Sequence, residues 1–170
     1  MIVKISIVYF SLSGRTKLLS QSLAEFLRAE GFSVMINPLK SPSTGNFLKN
    51  CIDAFTKKKV KLEYIPEIKH SDVVFLGSPV WVFDITPAMR TFLENVNLKN
   101  KRVFLYTTYG SGRGKDRAMS NFSHIVELKG GMIIGKTDIK GRQVEKDFEK
   151  FKEIVAQCLE QYQLIKHPGR

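Results

Sequence analysis

The spacing of apolar residues changes period several times along the chain. Residues 2–10 carry Ile2, Val3, Ile5, Ile7, Val8, Tyr9 and Phe10 with little polar interruption, the pattern of a strand buried on both faces. The spacing then opens to threes and fours. Leu19, Leu23, Phe26 and Leu27 share one helical face, and Gly31 follows as a stop signal. Residues 32–36 predict a second short strand, closed by Pro38. Three further apolar runs, 73–76 (ending at Gly77), 103–107 and 132–135, predict three more strands. Helices are predicted between them. One starts at Thr86-Pro87, a hydroxyl cap followed by proline at the first helical position, and continues through Met89, Phe92, Leu93 and Val96. Another carries Met119, Phe122 and Val126 and stops at Gly130-Gly131; the last carries Val144, Phe148, Phe151, Val155 and Leu159. A less regular stretch predicts a helix capped by Ser43 or Thr44, with Phe47, Leu48, Cys51, Ile52 and Phe55 on its apolar face and Lys57, Lys58 and Lys59 at its end.

Five strands alternating with helices predict an α/β fold: an open five-stranded parallel sheet with helices on both faces. One domain is expected over residues 1–163, followed by a tail at 164–170. Composition agrees with this, since 43% hydrophobic and 25% charged residues read as globular rather than disordered. No apolar run approaches the length of a bilayer span, and Lys4 interrupts the only N-terminal apolar run, so no signal peptide is expected and the cytoplasm is the expected location. Cys51 and Cys158 have no partner at metal-binding or CxxC spacing and predict buried thiols.

A formal charge of +11 changes the picture of partners, not of the fold. Nucleic acid, acidic proteins, phosphorylated ligands and anionic membranes all stay open on charge alone, beside plainly solvated lysine. A nucleic-acid role is disfavoured, because no aromatic stacking platform and no known binding motif can be assembled.

Open parallel sheets bind ligands beyond the carboxyl ends of their strands, and three of the predicted strands end in unusual loops. The first reads Ser11-Leu12-Ser13-Gly14-Arg15-Thr16. It offers three hydroxyls, a glycine for tight turning and a full positive charge at a helix N-terminus, all suited to an anion such as phosphate. The alternative is a plain helix cap, which needs one hydroxyl. The second loop, "GSPVWVFDITP", exposes Trp81 and Phe83 between prolines and suggests a wall for a flat ligand, or else a Trp81 that packs on the following helix. The third, "TTYGSGRG", adds Tyr109 and three glycines. Two other phosphate loops are excluded. GxGxxG is absent from the first loop, and around Gly114-Lys115 a P-loop would need glycine where Tyr109 stands and Ser or Thr where Asp116 stands.

With these residues in view, the sequence resembles the flavodoxin-like family over nearly its whole length. Ser11 to Thr16 fits the family's phosphate loop, Thr/Ser-x-Thr/Ser-Gly-x-Thr; "GSPVW", followed by "TPAMRTFLENV", and "TTYGSGRG" are similar to its two further signatures. The resemblance implies a three-layer sandwich and FMN as cofactor. It implies Ser11, Leu12, Ser13, Gly14, Arg15 and Thr16 around the phosphate. Pro79, Val80, Trp81 and Phe83 would flank the isoalloxazine ring, with Thr108, Tyr109, Gly110 and Gly112 on its other edge. The fifth strand has no long insertion, as in the short-chain type. Three features depart from the family pattern: Arg15 in place of a small polar residue, a long basic segment at 40–70, and a basic chain where carrier flavodoxins tend to be acidic.

The resemblance further implies an FMN-dependent oxidoreductase passing electrons from NAD(P)H to a quinone or other small acceptor. The alternative is a one-electron carrier that docks on redox partner proteins. Homo-oligomerisation, the donor and the acceptor are left open. No catalytic side chain is expected, because the flavin carries the chemistry and His70, His124 and His167 fall outside the three loops. Asp84 is the only acid in the two ring-side loops and Arg113 opposes it, so a less negative reduction potential than that of an acidic flavodoxin is expected.

Overall fold

The computed structural model describes residues 2–41 and 59–164. The helix expected after Ser43, with Cys51, and the tail beyond Leu164, with His167, lie outside them. In chain order the elements are β1 (Lys4–Tyr9), α1 (Arg15–Ala29), β2 (Ser33–Pro38), β3 (Val73–Pro79), α2 (Pro87–Glu94), β4 (Arg102–Tyr109), α3 (Lys115–Leu128), β5 (Met132–Lys140), a 3-10 turn (Gly141–Gln143) and α4 (Val144–Gln161).

The five strands are all parallel and stand in the order β2-β1-β3-β4-β5. Alternation along each central strand divides the core. Ile5, Ile7, Phe75, Phe104 and Tyr106 face Leu19, Leu23 and Leu27 of α1 and Phe151, Val155 and Leu159 of α4. Val8, Val74, Leu76, Val103 and Leu105 face Met89, Phe92 and Leu93 of α2 and Met119, Phe122 and Val126 of α3. The result is the expected three-layer sandwich. The chain leaves β1 for β2 on one side and returns to β3 on the other, so the strand order reverses between β1 and β3, where a crevice opens at the carboxyl edge.

Two elements differ from the sequence expectation. α2 ends at Glu94, and Val96 packs on the core from beyond the helix. β5 runs five residues past Gly135, to Lys140, with a bulge opposite Val103 and Phe104. As an edge strand it needs no continuous apolar run, and Lys136, Thr137 and Asp138 hide it from a search for one. Cys158 lies on α4, half-buried, with its thiol pushed up by burial. No helix among the described residues is long and apolar enough to cross a membrane.

Candidate functional site

The first loop enters α1 without a side-chain cap. Gly14 takes the cap position at φ 84°, its carbonyl accepts from the Leu18 N–H at 2.9 Å, and no side chain caps the helix. The three hydroxyls therefore do something other than cap. Ser11 Oγ is buried and has no partner; Ser13, Gly14 and Arg15 are exposed, and Leu12 packs on the core. Thr16 is buried and its hydroxyl meets that of Thr108 at 2.8 Å. With no acidic residue in the first turn, the positive end of α1 is left uncompensated.

The second loop closes on itself. Trp81 and Asp84 exchange backbone hydrogen bonds of 2.8 and 2.9 Å around Val82 (φ 44°) and Phe83 (φ 65°). Both central residues are left-handed, as in a tight hairpin turn of the primed type, although neither is Asn, Asp or Gly. Two contacts hold the turn. Asp84 accepts from the Ile85 N–H at 2.8 Å and from the Arg90 guanidinium at 2.6 Å, and the Phe83 ring lies against Gly114, where a Cβ would collide with it. Trp81 is buried edge-on against Phe10, with ring centroids 5.5 Å apart. Its ring belongs to the core beneath the loop, while Phe83 stands 46% exposed.

The third loop joins the other two. The Val80 N–H donates to the Thr108 carbonyl at 2.8 Å, and the Thr16–Thr108 contact ties the loop to α1. Tyr109 is half-buried with the Lys115 ammonium 5.5 Å from its ring centroid. Lys115 also donates to Asp138 at 3.0 Å, and this bond raises its pKa.

Together the loops enclose a cavity of about 420 Å³ lined by Ser13, Arg15, Pro79, Val80, Trp81, Val82, Thr108, Tyr109 and Gly110. A second cavity of about 340 Å³ shares Val80, Val82, Tyr109 and Gly110 with it and adds Phe83, Ser111, Gly112 and Arg113. Every sequence-predicted site residue thus falls on these walls or in the loops that carry them. Five lining residues were not among those expected to bind: Val82, Ser111 and Arg113 stand within the second and third loops, whereas Gly141 and Arg142 lie outside all three. The latter two follow directly on β5, and ending that strand at Gly135 removed the reason to look there. Larger hollows between segments 65–69 and 95–101 and between α3 and β5 contain no Phe, Tyr or Trp.

The charge at the site is one-sided. Asp84 is paired with Arg90, and Asp116 and Asp138 share the one ammonium of Lys115. Arg15, Arg113 and Arg142 are exposed and make no ion pair among the described residues. An anion entering these cavities meets free guanidinium groups and the open end of a helix, and the unpartnered Ser11 hydroxyl lies buried in the same loop.

Known proteins share this fold. The structure resembles a flavoprotein from Lactobacillus acidophilus NCFM solved in complex with FMN (TM-score 0.64, 21% identity, covering 85% of this chain and 97% of that one). It resembles a flavodoxin from the domain Archaea (TM-score 0.64, 16% identity, 95% and 99%) and oxidised flavodoxin 2 from Bacillus cereus (TM-score 0.62, 20% identity, 91% and 99%). At these identities the likeness is one of fold. The family assignment comes from the sequence itself: residues 4–151 match the family model described as flavodoxin, and the chain belongs to the flavodoxin family.

Proposed function

We propose that this chain is an FMN flavoprotein that moves electrons from a reduced nicotinamide to a quinone or other small acceptor. The observation that carries the FMN part is the Ser11 hydroxyl, buried without a partner in the loop that leads to an uncapped helix N-terminus. A buried unpaired hydroxyl costs about 1–3 kcal/mol, and a phosphate oxygen is the acceptor that this loop chemistry fits. When bound, FMN supplies the electron exchange, singly or in pairs.

The chain's own residues bind and orient. Ser11, Ser13, Gly14, Arg15 and Thr16, with the backbone of Leu12, would surround the phosphate. Pro79, Val80, Trp81 and Phe83 would line one side of the ring, and Thr108, Tyr109, Gly110 and Gly112 the other. Arg142 in the larger cavity and Arg113 in the smaller add positive charge suited to the pyrophosphate of NADH or NADPH.

A second reading, a one-electron carrier, draws support from flavodoxins of matching length among similar structures. The same free arginines would then dock on an acidic redox partner. Anaerobic addition of NADPH to the FMN-loaded protein separates the two. Bleaching of the flavin within seconds without any partner supports the enzyme; an unchanged spectrum supports the carrier.

A further inference from the structure

The inner face of α1 is apolar except near the site. Leu19, Leu23, Ala24 and Leu27 are fully buried hydrophobes, whereas Thr16 and Ser20, in the first two turns, are buried hydroxyls. The same gradient runs along one face of β4, from Phe104 through Tyr106 to Thr108, all buried. The polar ends meet in two rungs. Thr16 Oγ1 lies 2.8 Å from Thr108 Oγ1, and Ser20 Oγ lies 2.6 Å from the Tyr106 hydroxyl. Residues 16 and 20 are about 6 Å apart along a helix, and residues 106 and 108 are about 6.6 Å apart along a strand. The rungs therefore match with no distortion of either element.

Proton counting gives the second rung a direction. Ser20 Oγ donates to the Thr16 carbonyl at 2.7 Å. A serine hydroxyl has one proton, so the bond between Ser20 and Tyr106 must be donated by the phenol. The chain of bonds runs from Tyr106 to Ser20 to the Thr16 backbone. In the first rung one threonine donates to the other, which leaves the acceptor's proton available to a ligand. Space for the phenol is provided on the neighbouring strand, where Gly77 pairs with Tyr106 and a Cβ would enter its ring.

We propose that Tyr106 and Ser20 are positioning residues for phosphate recognition, holding the first turn of α1 so that Thr16 and the loop before it keep a fixed register against Thr108 and the ring-side loop. Neither residue lines a cavity; both act through Thr16. Burial raises the Tyr106 pKa, so the phenol stays a donor across the range in which the protein would be studied. The inference rests on the FMN reading, which the test keeps separable.

The test compares FMN with riboflavin, which differ only by the phosphate. Dissociation constants for both are measured by flavin fluorescence on wild type, Tyr106→Phe and the double variant Ser20→Ala/Tyr106→Phe, beside thermal unfolding of each. The double variant removes both hydroxyls together, so the Ser20 oxygen is not left buried without its incoming bond if the single variant folds poorly. Loss of one such bond is expected to weaken FMN by about fivefold and to leave riboflavin unchanged. A lower Tm with an unchanged FMN-to-riboflavin ratio in both variants would mean that the ladder serves only stability, and overturns the proposal alone. A wild type that binds neither flavin overturns the FMN reading and the ladder's role with it.

Discussion

At Gly77 the neighbouring strand decides what can be placed. Its register partner Tyr106 lies so close that any side chain would enter the phenol ring, and the ring is fully buried between α1 and α4. Gly77→Ala is expected to destabilise the protein by about 1–3 kcal/mol through overpacking, measured as a lower urea midpoint at unchanged m-value. Gly14 offers a contrast, because nothing lies within 4 Å of its added Cβ and only its φ of 84° resists substitution. Gly14→Ala should cost about 1 kcal/mol, and a larger loss would mean that the loop is tighter than its geometry indicates. Lys115 carries a pH dependence. Asp138 raises its folded-state pKa above the usual lysine value, so the contribution is complete below the unfolded pKa and is lost as pH rises through the folded one. Lys115→Met should therefore flatten the stability profile above about pH 10.

Among the elements, the loop between β3 and α2 holds most of what sequence reading could not supply. Val-Phe is a poor pair for a turn with two left-handed residues, where Asn-Gly is the usual signal. The turn forms because tertiary contacts outweigh local preference: Asp84 bonds Arg90 and the next backbone N–H, and Phe83 rests on Gly114. Gly114 and Arg90, the partners of Phe83 and Asp84, lie outside the turn, and no short window of sequence around Val82 contains them both. Asp84→Ala would leave the Arg90 guanidinium unpaired and half-buried and release a strained turn; a loss of about 3 kcal/mol is expected in equilibrium unfolding. The helix start that follows was legible. Thr86 accepts from the Met89 N–H at 3.3 Å with Pro87 at the first helical position, and Thr86→Ala should cost about 1 kcal/mol. β5 was half legible, its apolar start seen and its polar extension missed, and Gly141 and Arg142 were missed with it. The direction of Trp81 was also beyond the sequence, since its partner Phe10 comes from the far side of the strand crossover.

Across the whole molecule, the alternation of apolar strands and amphipathic helices was enough to read the sandwich, because both sheet faces are covered and each central strand is buried and mostly apolar. The charge acts at this scale too. With a formal +11 and with Arg15, Arg113 and Arg142 free at the cavities, an anionic reduced flavin would be stabilised. Its midpoint potential for full reduction should be less negative than that of an acidic flavodoxin titrated beside it. Reduction by NADPH should slow as salt rises, because free surface charges are screened within about 10 Å at 0.1 M ionic strength; a rate indifferent to salt would remove the arginines from that step. All of this depends on the three loops holding FMN. The most direct measurement is to mix the purified protein with excess FMN, desalt it and record the visible spectrum of the eluted protein. Flavin absorbance co-eluting at one FMN per chain is the predicted result. A colourless eluate at low micromolar protein would contradict the account at its centre, and the cavities would then belong to another anionic ligand.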